Sequence, residues 1–336
     1  MRAAVFHGQG KVGVVDRPEP AARLPDDVVI RVGAAGLCGS DLRALATPPE
    51  MIYDEGVTVG HEFAGVVADT GPGATLTAGT RVTVHPNICC QRCYYCRSGR
   101  TNLCDSFVHI GSMRDGGAAE LCVVPERMVY PLPDDLPVER AALAEPLSCV
   151  LNGTNQAAIA PGESALIIGG GPIGLLYLLL FRAAGAFPVI VSEIAAHRTQ
   201  QALELGADRV IDPRTDDVAA AVRELTDGRG ADVAVDAVGS QLAEAVMSAG
   251  KTGRVFTFGL NERSTVQLQP SLLAYKEISV HGVYIAKGTF PMAIRMLADN
   301  RLGFDRLLTR RYPLDDISEA IADLRSGKVA KGLLIP

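Results

Sequence analysis

The strongest restriction on this chain's fold is an alternation of short apolar runs with amphipathic segments that begins at Ala165. The spacing predicts a buried strand at Ala165–Ile168, a helix over Ile173–Gly185, a second strand at Val189–Ser192 and a second helix over His197–Leu205. The rhythm continues through Arg209–Ile211, Val218–Thr226, Val233–Val235, Leu242–Ala249 and Val255–Phe258. Apolar strands that alternate with helices need a parallel sheet covered on both faces, so residues 151–286 are expected to form a doubly wound α/β domain.

The first strand-to-helix junction reads Gly169-Gly170-Gly171-Pro172-Ile173-Gly174, a GxGxxG run in its proper context. Gly169 allows the tight turn, Gly171 lets backbone amides approach a pyrophosphate, and Gly174 closes the motif. The helix start at Pro172 and Ile173 offers unpaired N–H groups and a partial positive charge. Glu193 ends the second strand, where a carboxylate accepts hydrogen bonds from the adenosine ribose and repels an added phosphate, which favours NAD over NADP. Arg198, shortly after, is the competing cation for that phosphate. Gly259, Leu260 and Val283, at the ends of later apolar runs, complete the candidate cofactor contacts.

Ahead of this region the texture is different. Short apolar runs cut by Gly and Pro, at Val28–Val32, Gly65–Ala68, Arg81–Val84 and Leu121–Val124, predict β-rich structure over residues 1–150. Beyond Gly288, two helical patterns at Phe290–Asn300 and Ile317–Ser326 precede a strand-like Gly332–Ile335, and periodicity alone leaves open which domain they join. A length of 336 residues suits two such domains. The net charge of −6 supplies no basic face for phosphate backbones, so nucleic acid is not an expected partner. No apolar run reaches the ~18 residues of a membrane span, and Met1–Gly10 lacks the pattern of a secretory leader, so a cytoplasmic location is expected.

In a reducing compartment the eight cysteines read as metal ligands or free thiols. Cys90, Cys93, Cys96 and Cys104 stand as CxxCxxCx7C, and four thiolates so close can enclose a zinc ion with no open position, which makes the site structural. An iron–sulfur cluster, a redox CxxC pair and a nucleic-acid module are the alternatives. The acidic chain disfavours the last of these, and ligand spacing favours zinc. Cys89 adjoins the first ligand, and the regular two-residue spacing selects Cys90.

Three further motifs, Cys38-Gly39-Ser40-Asp41, Gly60-His61-Glu62-Phe63-Ala64-Gly65 and the cysteine lobe at about 86–106, make the chain resemble the zinc-dependent medium-chain dehydrogenases of the alcohol dehydrogenase superfamily. The resemblance covers nearly the whole length. Glu145-Pro146-Leu147-Ser148 and the segment from Gly282-Val283-Tyr284 to Pro291-Met292-Ala293-Ile294 are most similar to the sorbitol, or polyol, dehydrogenase branch. The resemblance implies a GroES-like catalytic domain from residues 1–150 and 287–336 around a Rossmann domain at 151–286. It also implies two zinc ions, NAD, a homodimer or homotetramer, and hydride transfer between a secondary alcohol and NAD. The alcohol would be a polyol, sugar, cyclitol or aminocyclitol. Oxidation of an amino-acid alcohol such as threonine is the nearest alternative, and a non-catalytic zinc-binding relative the more distant one.

Cys38, His61, Glu62 and Glu145 supply the S, N and O donors that suit zinc, but a catalytic zinc takes three protein ligands and keeps a fourth place open. The four candidates therefore exceed the need by one. The polyol branch implies Cys38, His61 and Glu62 as ligands with Glu145 holding the bound water, whereas the alcohol dehydrogenase branch makes Glu145 the third ligand. By the same resemblance, Ser40 accepts the substrate proton and Asp41 buttresses the histidine ligand through its other ring nitrogen. Arg43 stands where the family often has a relay histidine, and a guanidinium does not shuttle protons at neutral pH. Ile285 and Ala286 replace the arginine and aromatic residue with which sorbitol dehydrogenases contact the polyol, and Ala118-Ala119 suggests a roomier pocket. Tyr53, Glu120 and Lys287 are further pocket candidates.

Overall fold

In the computed structural model, which describes every residue from Met1 to Pro336, the alternating region forms one six-stranded sheet. Its strands lie in the order Arg209–Ile211, Val189–Ser192, Ala165–Ile168, Ala231–Asp236, Ala249–Thr257 and Ser279–Gly282, all parallel. The strand order reverses at Ala165–Ile168, beside which doubly wound sheets bind their ligands at the carboxyl edge. Ala165, Leu166 and Ile167 are fully buried, and so are Val233, Ala234 and Val235 beside them, as expected where helices cover both faces. These elements belong to a compact unit, Cys149–Ile285.

The second compact unit takes Met1–Ser148 together with Ala286–Pro336. Its seven-stranded sheet is built around the long strand Asp27–Gly36. That strand pairs antiparallel with Glu62–Thr70, with Leu121–Pro125 and, at its far end, with Lys331–Ile335 from the C-terminus. The register sets Gly36 opposite Glu62 and Ala35 opposite Leu334, so Cys38, Glu62 and Lys331 converge at one end of the sheet. Phe63, Ile30, Val82 and Leu334 are buried beneath it in one core, and each large apolar side chain so buried contributes roughly 1.5–3 kcal/mol.

Three elements depart from the sequence reading. Ala249–Thr257 is a single nine-residue strand, longer than expected because Gly250, Lys251, Thr252 and Gly253 conceal its start. Pro270–Lys276 and Ala144–Ala157 are helices that periodicity did not reveal. The second carries Glu145 in its first turn, where a carboxylate favours the unpaired N–H groups of a helix start. No helix is long and apolar enough to cross a membrane.

Candidate active site

Cys38 caps the short helix Gly39–Ala44 one residue after the central strand, while Glu62 opens the neighbouring strand and His61 immediately precedes it. Their ligand atoms all lie within 4.8 Å of one another. His61 and Glu62 are buried and Cys38 is half-buried. Glu145 stays outside this set, although it is buried and its charge is felt at His61.

Glu62 is held by a residue that local motifs do not reveal. Lys331, itself fully buried, pairs its ammonium with Oε2 of Glu62 and donates to the carbonyl of Leu37 at 2.9 Å. A Cβ at position 36 would overlap the Glu62 carboxylate, which is why glycine stands there. Oε1 of Glu62 is buried with no hydrogen-bond partner. A buried carboxylate oxygen left unpaired is costly unless a cation meets it. Together with a thiolate and an imidazole it makes the S, N and O donor set of a zinc site with one open position, so the residues fit that ion.

Asp41 does not buttress His61 directly. Its Oδ1 lies 3.9 Å from Nδ1 of His61, beyond hydrogen-bond range, and Nδ1 has no partner. Instead Oδ2 accepts the Cys38 backbone N–H at 2.8 Å, and Oδ1 accepts the Tyr53 hydroxyl at 2.8 Å. The physical reason is the helix start: as the third residue after the cap, Asp41 is drawn to the free N–H of Cys38. Tyr53 also lies 3.4 Å from the hydroxyl of Ser40. Burial, reinforced by the charge of Asp41, raises the Tyr53 phenol well above its ordinary value, so it stays protonated.

Burial alone would lower the His61 imidazole. The Cys38 thiolate, through its charge and a hydrogen bond, and the carboxylates of Asp41 and Glu145 outweigh that and raise it well above the usual histidine value. Two other histidines lie nearby. Burial lowers His85 to about 4, and burial with the charges of His61 and His85 lowers His109 well below its ordinary value.

In the cysteine lobe, the sulfurs of Cys90, Cys93, Cys96 and Cys104 also lie within 4.8 Å of one another, and none is in a disulfide. A tetrahedral Zn–S4 site with bonds of 2.3 Å has sulfurs about 3.8 Å apart. Backbone N–H groups already point at these sulfurs, Cys93 to Cys90 at 3.4 Å and Cys90 to Cys104 at 3.2 Å. Such donors favour the thiolate: the Arg92 N–H, followed by that of Cys93, lowers Cys90 to about 6. Cys89 is not in the group.

In the other unit, Gly169 adopts φ +101°, and a Cβ at Gly174 would collide with its carbonyl oxygen. Gly171 caps the helix Pro172–Ala183 without any side-chain hydrogen bond, so the first N–H groups of that helix remain available to an anion. Glu193 folds over the turn. It accepts the Gly170 N–H at 2.7 Å and those of Ile194 and Ala195 at 2.8 Å. Arg198 approaches the same turn, with its Nη1 3.9 Å from a Cβ built at Gly171 and its buried Nε without a hydrogen-bond partner. Gly259 and Leu260 follow the strand Ala249–Thr257 at its carboxyl end, and Val283 follows Ser279–Gly282 with its side chain buried.

The remaining pocket candidates are placed differently. Glu120 accepts the Arg2 backbone N–H at 2.9 Å and so anchors the N-terminal strand. Lys287 is exposed. Ala118 and Ala119 are fully buried, the first in the sheet's core and the second in a small cluster with Ala3 and Val5.

Comparison with known proteins identifies the family. The family model for the alcohol dehydrogenase GroES-like domain matches residues 24–134, and that for zinc-binding dehydrogenase matches residues 172–299. The chain is 35% identical to an L-threonine 3-dehydrogenase from Pyrococcus abyssi, across 94% of this chain and 92% of that one. It is 31% identical to a sorbitol dehydrogenase from Bacillus subtilis, across 96% and 92%. A protein from Sinorhizobium meliloti 1021 described as a zinc-binding dehydrogenase, crystallised with NADP, superposes with a TM-score of 0.92 at 34% identity and covers 99% of its own length and 100% of this one.

Proposed function

The chain belongs to the zinc-dependent medium-chain alcohol dehydrogenases, and from that premise we propose that it oxidises a secondary hydroxyl of a small polar substrate with NAD, giving a ketone, NADH and a proton. The observation that carries this reading is the convergence of Cys38, His61 and Glu62, one Glu62 oxygen being buried and unpartnered. In the proposal these three hold the catalytic zinc, and Glu145 orients water or substrate beside it. Zinc bound there would supply Lewis acidity that lowers the pKa of the substrate hydroxyl.

The chain's own residues divide the remaining work. Ser40 takes the proton that the hydroxyl loses. Tyr53 already donates to Asp41, so its single proton is committed and it steadies Ser40 rather than carrying the proton away. With Arg43 in place of a relay histidine, solvent or the cofactor's ribose completes the path. Asp41 positions Cys38 through the helix cap. The four-cysteine lobe holds the second zinc as a structural ion, and the chain works as a homodimer or homotetramer.

For the cofactor, Glu193 favours NAD. Its carboxylate sits over the glycine turn, where a ribose phosphate would meet a like charge. Arg198 works in the opposite sense, so the preference is expected to be about tenfold rather than absolute.

The test is NADH formation followed at 340 nm with sorbitol, xylitol, myo-inositol and L-threonine, each with NAD and with NADP. Oxidation of a polyol or cyclitol with NAD supports the proposal. A clear preference for threonine would instead place the chain with the amino-alcohol enzymes, a reading favoured by its 35% identity to the Pyrococcus protein. No turnover of any hydroxyl compound by zinc-loaded protein would refute a dehydrogenase role.

A further inference from the structure

The segment that follows the last strand of the parallel sheet is held in a conformation that its residues disfavour. Ile285 adopts φ +39°, in the left-handed region, where a side chain branched at Cβ is crowded against its own backbone. Such a backbone persists only where its surroundings fix it. Here the fixing group is Asn152, which is 4% exposed on the helix Ala144–Ala157. Its Nδ2 donates to the carbonyl of Ile285 at 2.8 Å and to that of Tyr284 at 3.3 Å. Successive carbonyls of an extended strand point opposite ways, so the left-handed turn is what brings both to one amide nitrogen. Gln156, one helical turn on, donates to Oδ1 of Asn152 at 3.1 Å and so keeps the NH2 group facing those carbonyls. All four residues belong to the unit Cys149–Ile285.

The place of this turn in the sheet gives it a ligand. A doubly wound sheet binds a dinucleotide across the point where its strand order reverses, with the pyrophosphate at the glycine turn. That turn follows Ala165–Ile168, and Glu193, the acid for the adenosine ribose, follows the neighbouring strand Val189–Ser192. The other half of the cofactor therefore falls on the opposite side, over the carboxyl ends of Ala231–Asp236, Ala249–Thr257 and Ser279–Gly282. Val283–Ile285 continues directly from the last of these, and the Val283 N–H donates to the carbonyl of Thr257 at 3.0 Å.

We infer that Asn152 is a positioning residue for the cofactor: it clamps Val283–Ile285 in the strained turn that meets the nicotinamide ring, and so selects the whole dinucleotide over a form that lacks the ring. The inference rests on the proposed use of NAD. Because the clamp holds the turn before the cofactor arrives, binding does not have to order it. Asn152 acts through the backbone of Tyr284 and Ile285, and Gln156 acts through Asn152.

ADP-ribose, which carries everything in NADH but the nicotinamide ring, isolates this contact. Dissociation constants of NADH and ADP-ribose are measured by isothermal titration calorimetry on zinc-loaded protein, with no substrate and no turnover. The ratio of Kd for ADP-ribose over Kd for NADH cancels damage to the adenosine and pyrophosphate contacts that both ligands share. In the wild type this ratio is expected to exceed about 10. Asn152→Leu, of similar size but without a donor, should lower it roughly fivefold or more through weaker NADH binding, with ADP-ribose within about threefold of wild type. Gln156→Ala, at an exposed position, should lower it about two- to threefold. Ile285→Gly removes the strain, since glycine takes the left-handed turn freely, so adding Asn152→Leu to it should lower the ratio by no more than about twofold. A merely structural Asn152 would weaken both ligands alike in either background. An unchanged ratio in Asn152→Leu, an equal loss of both ligands, or an undiminished effect in the Ile285→Gly background overturns the inference. Should Asn152→Leu not fold, an unchanged ratio in Gln156→Ala overturns it instead. A wild-type ratio near 1 also overturns it and leaves the use of NAD intact. Failure of wild type to bind either ligand counts against the cofactor reading itself, and the inference falls with it.

Discussion

Replacing Lys331 by Met should show, in one protein, what the buried ammonium does and what it stands beside. In the wild type its side chain is 2% exposed, against a Glu62 carboxylate at 0%, with the carbonyl of Leu37 as its second partner. Met has about the same reach but no charge, so without zinc the variant leaves the carboxylate buried and uncompensated. Breaking a buried ion pair from one side costs roughly 3–5 kcal/mol. At about 2–4 °C per kcal/mol for a unit of this size, the zinc-free variant should melt roughly 6–20 °C below the zinc-free wild type.

Zinc changes the outcome if Glu62 is its ligand, because the metal then neutralises the orphaned carboxylate. Differential scanning fluorimetry with chelator and with excess zinc should therefore give a clearly smaller loss in the zinc-loaded pair. By linkage, the same difference appears as tighter zinc binding at this site in Lys331→Met, by about tenfold for each 1.4 kcal/mol. Equal losses with and without zinc would refute the placement of Glu62 beside the metal. No loss in either condition would refute the buried ion pair.

Two further expectations concern neighbouring groups. The lowered His85 means that the unfolded chain binds a proton the folded chain refuses, so this contribution to stability is complete above about 6.5 and is lost as pH falls toward about 4. The full effect is roughly 3 kcal/mol. Urea titrations at pH 7 and pH 4.5 should show a flatter pH dependence in His85→Leu, and an unchanged slope would remove the role given to His85. Glu145→Gln should retain both zinc ions while kcat falls roughly 10 to 100-fold, the loss typical of a residue that orients a metal-site group without ligating it. Loss of one zinc would make Glu145 a ligand.

What was legible in the sequence was whatever is local. The glycine turn and the four cysteines each place their groups within a few residues, so spacing announces them, whereas the Cys38-to-Asp41 run and the His61-Glu62 pair were legible through their resemblance to family motifs. Lys331 was not legible, since it reaches Glu62 across 269 positions of sequence through strand pairing, and a lone lysine before Gly332-Leu333-Leu334 has no signature. Asp41 was legible as a residue but not in its contacts, because the free N–H of Cys38 competes with His61 for its carboxylate. Glu62 and Glu145 are both acids in family motifs, and only the strand pairing, which no local motif displays, groups Glu62 with Cys38 and His61.

The most direct test of the central claim, that Cys38, His61 and Glu62 form a catalytic zinc site distinct from the cysteine lobe, is zinc per chain by elemental analysis, read beside turnover of whichever hydroxyl compound the 340 nm assay shows to be oxidised. Wild type purified without chelator should hold two zinc ions. Cys38→Ser should hold about one, keep its fold and lose turnover, because a neutral hydroxyl replaces the thiolate in only one of the two ligand sets. Two zinc ions retained in Cys38→Ser with turnover intact would contradict the claim.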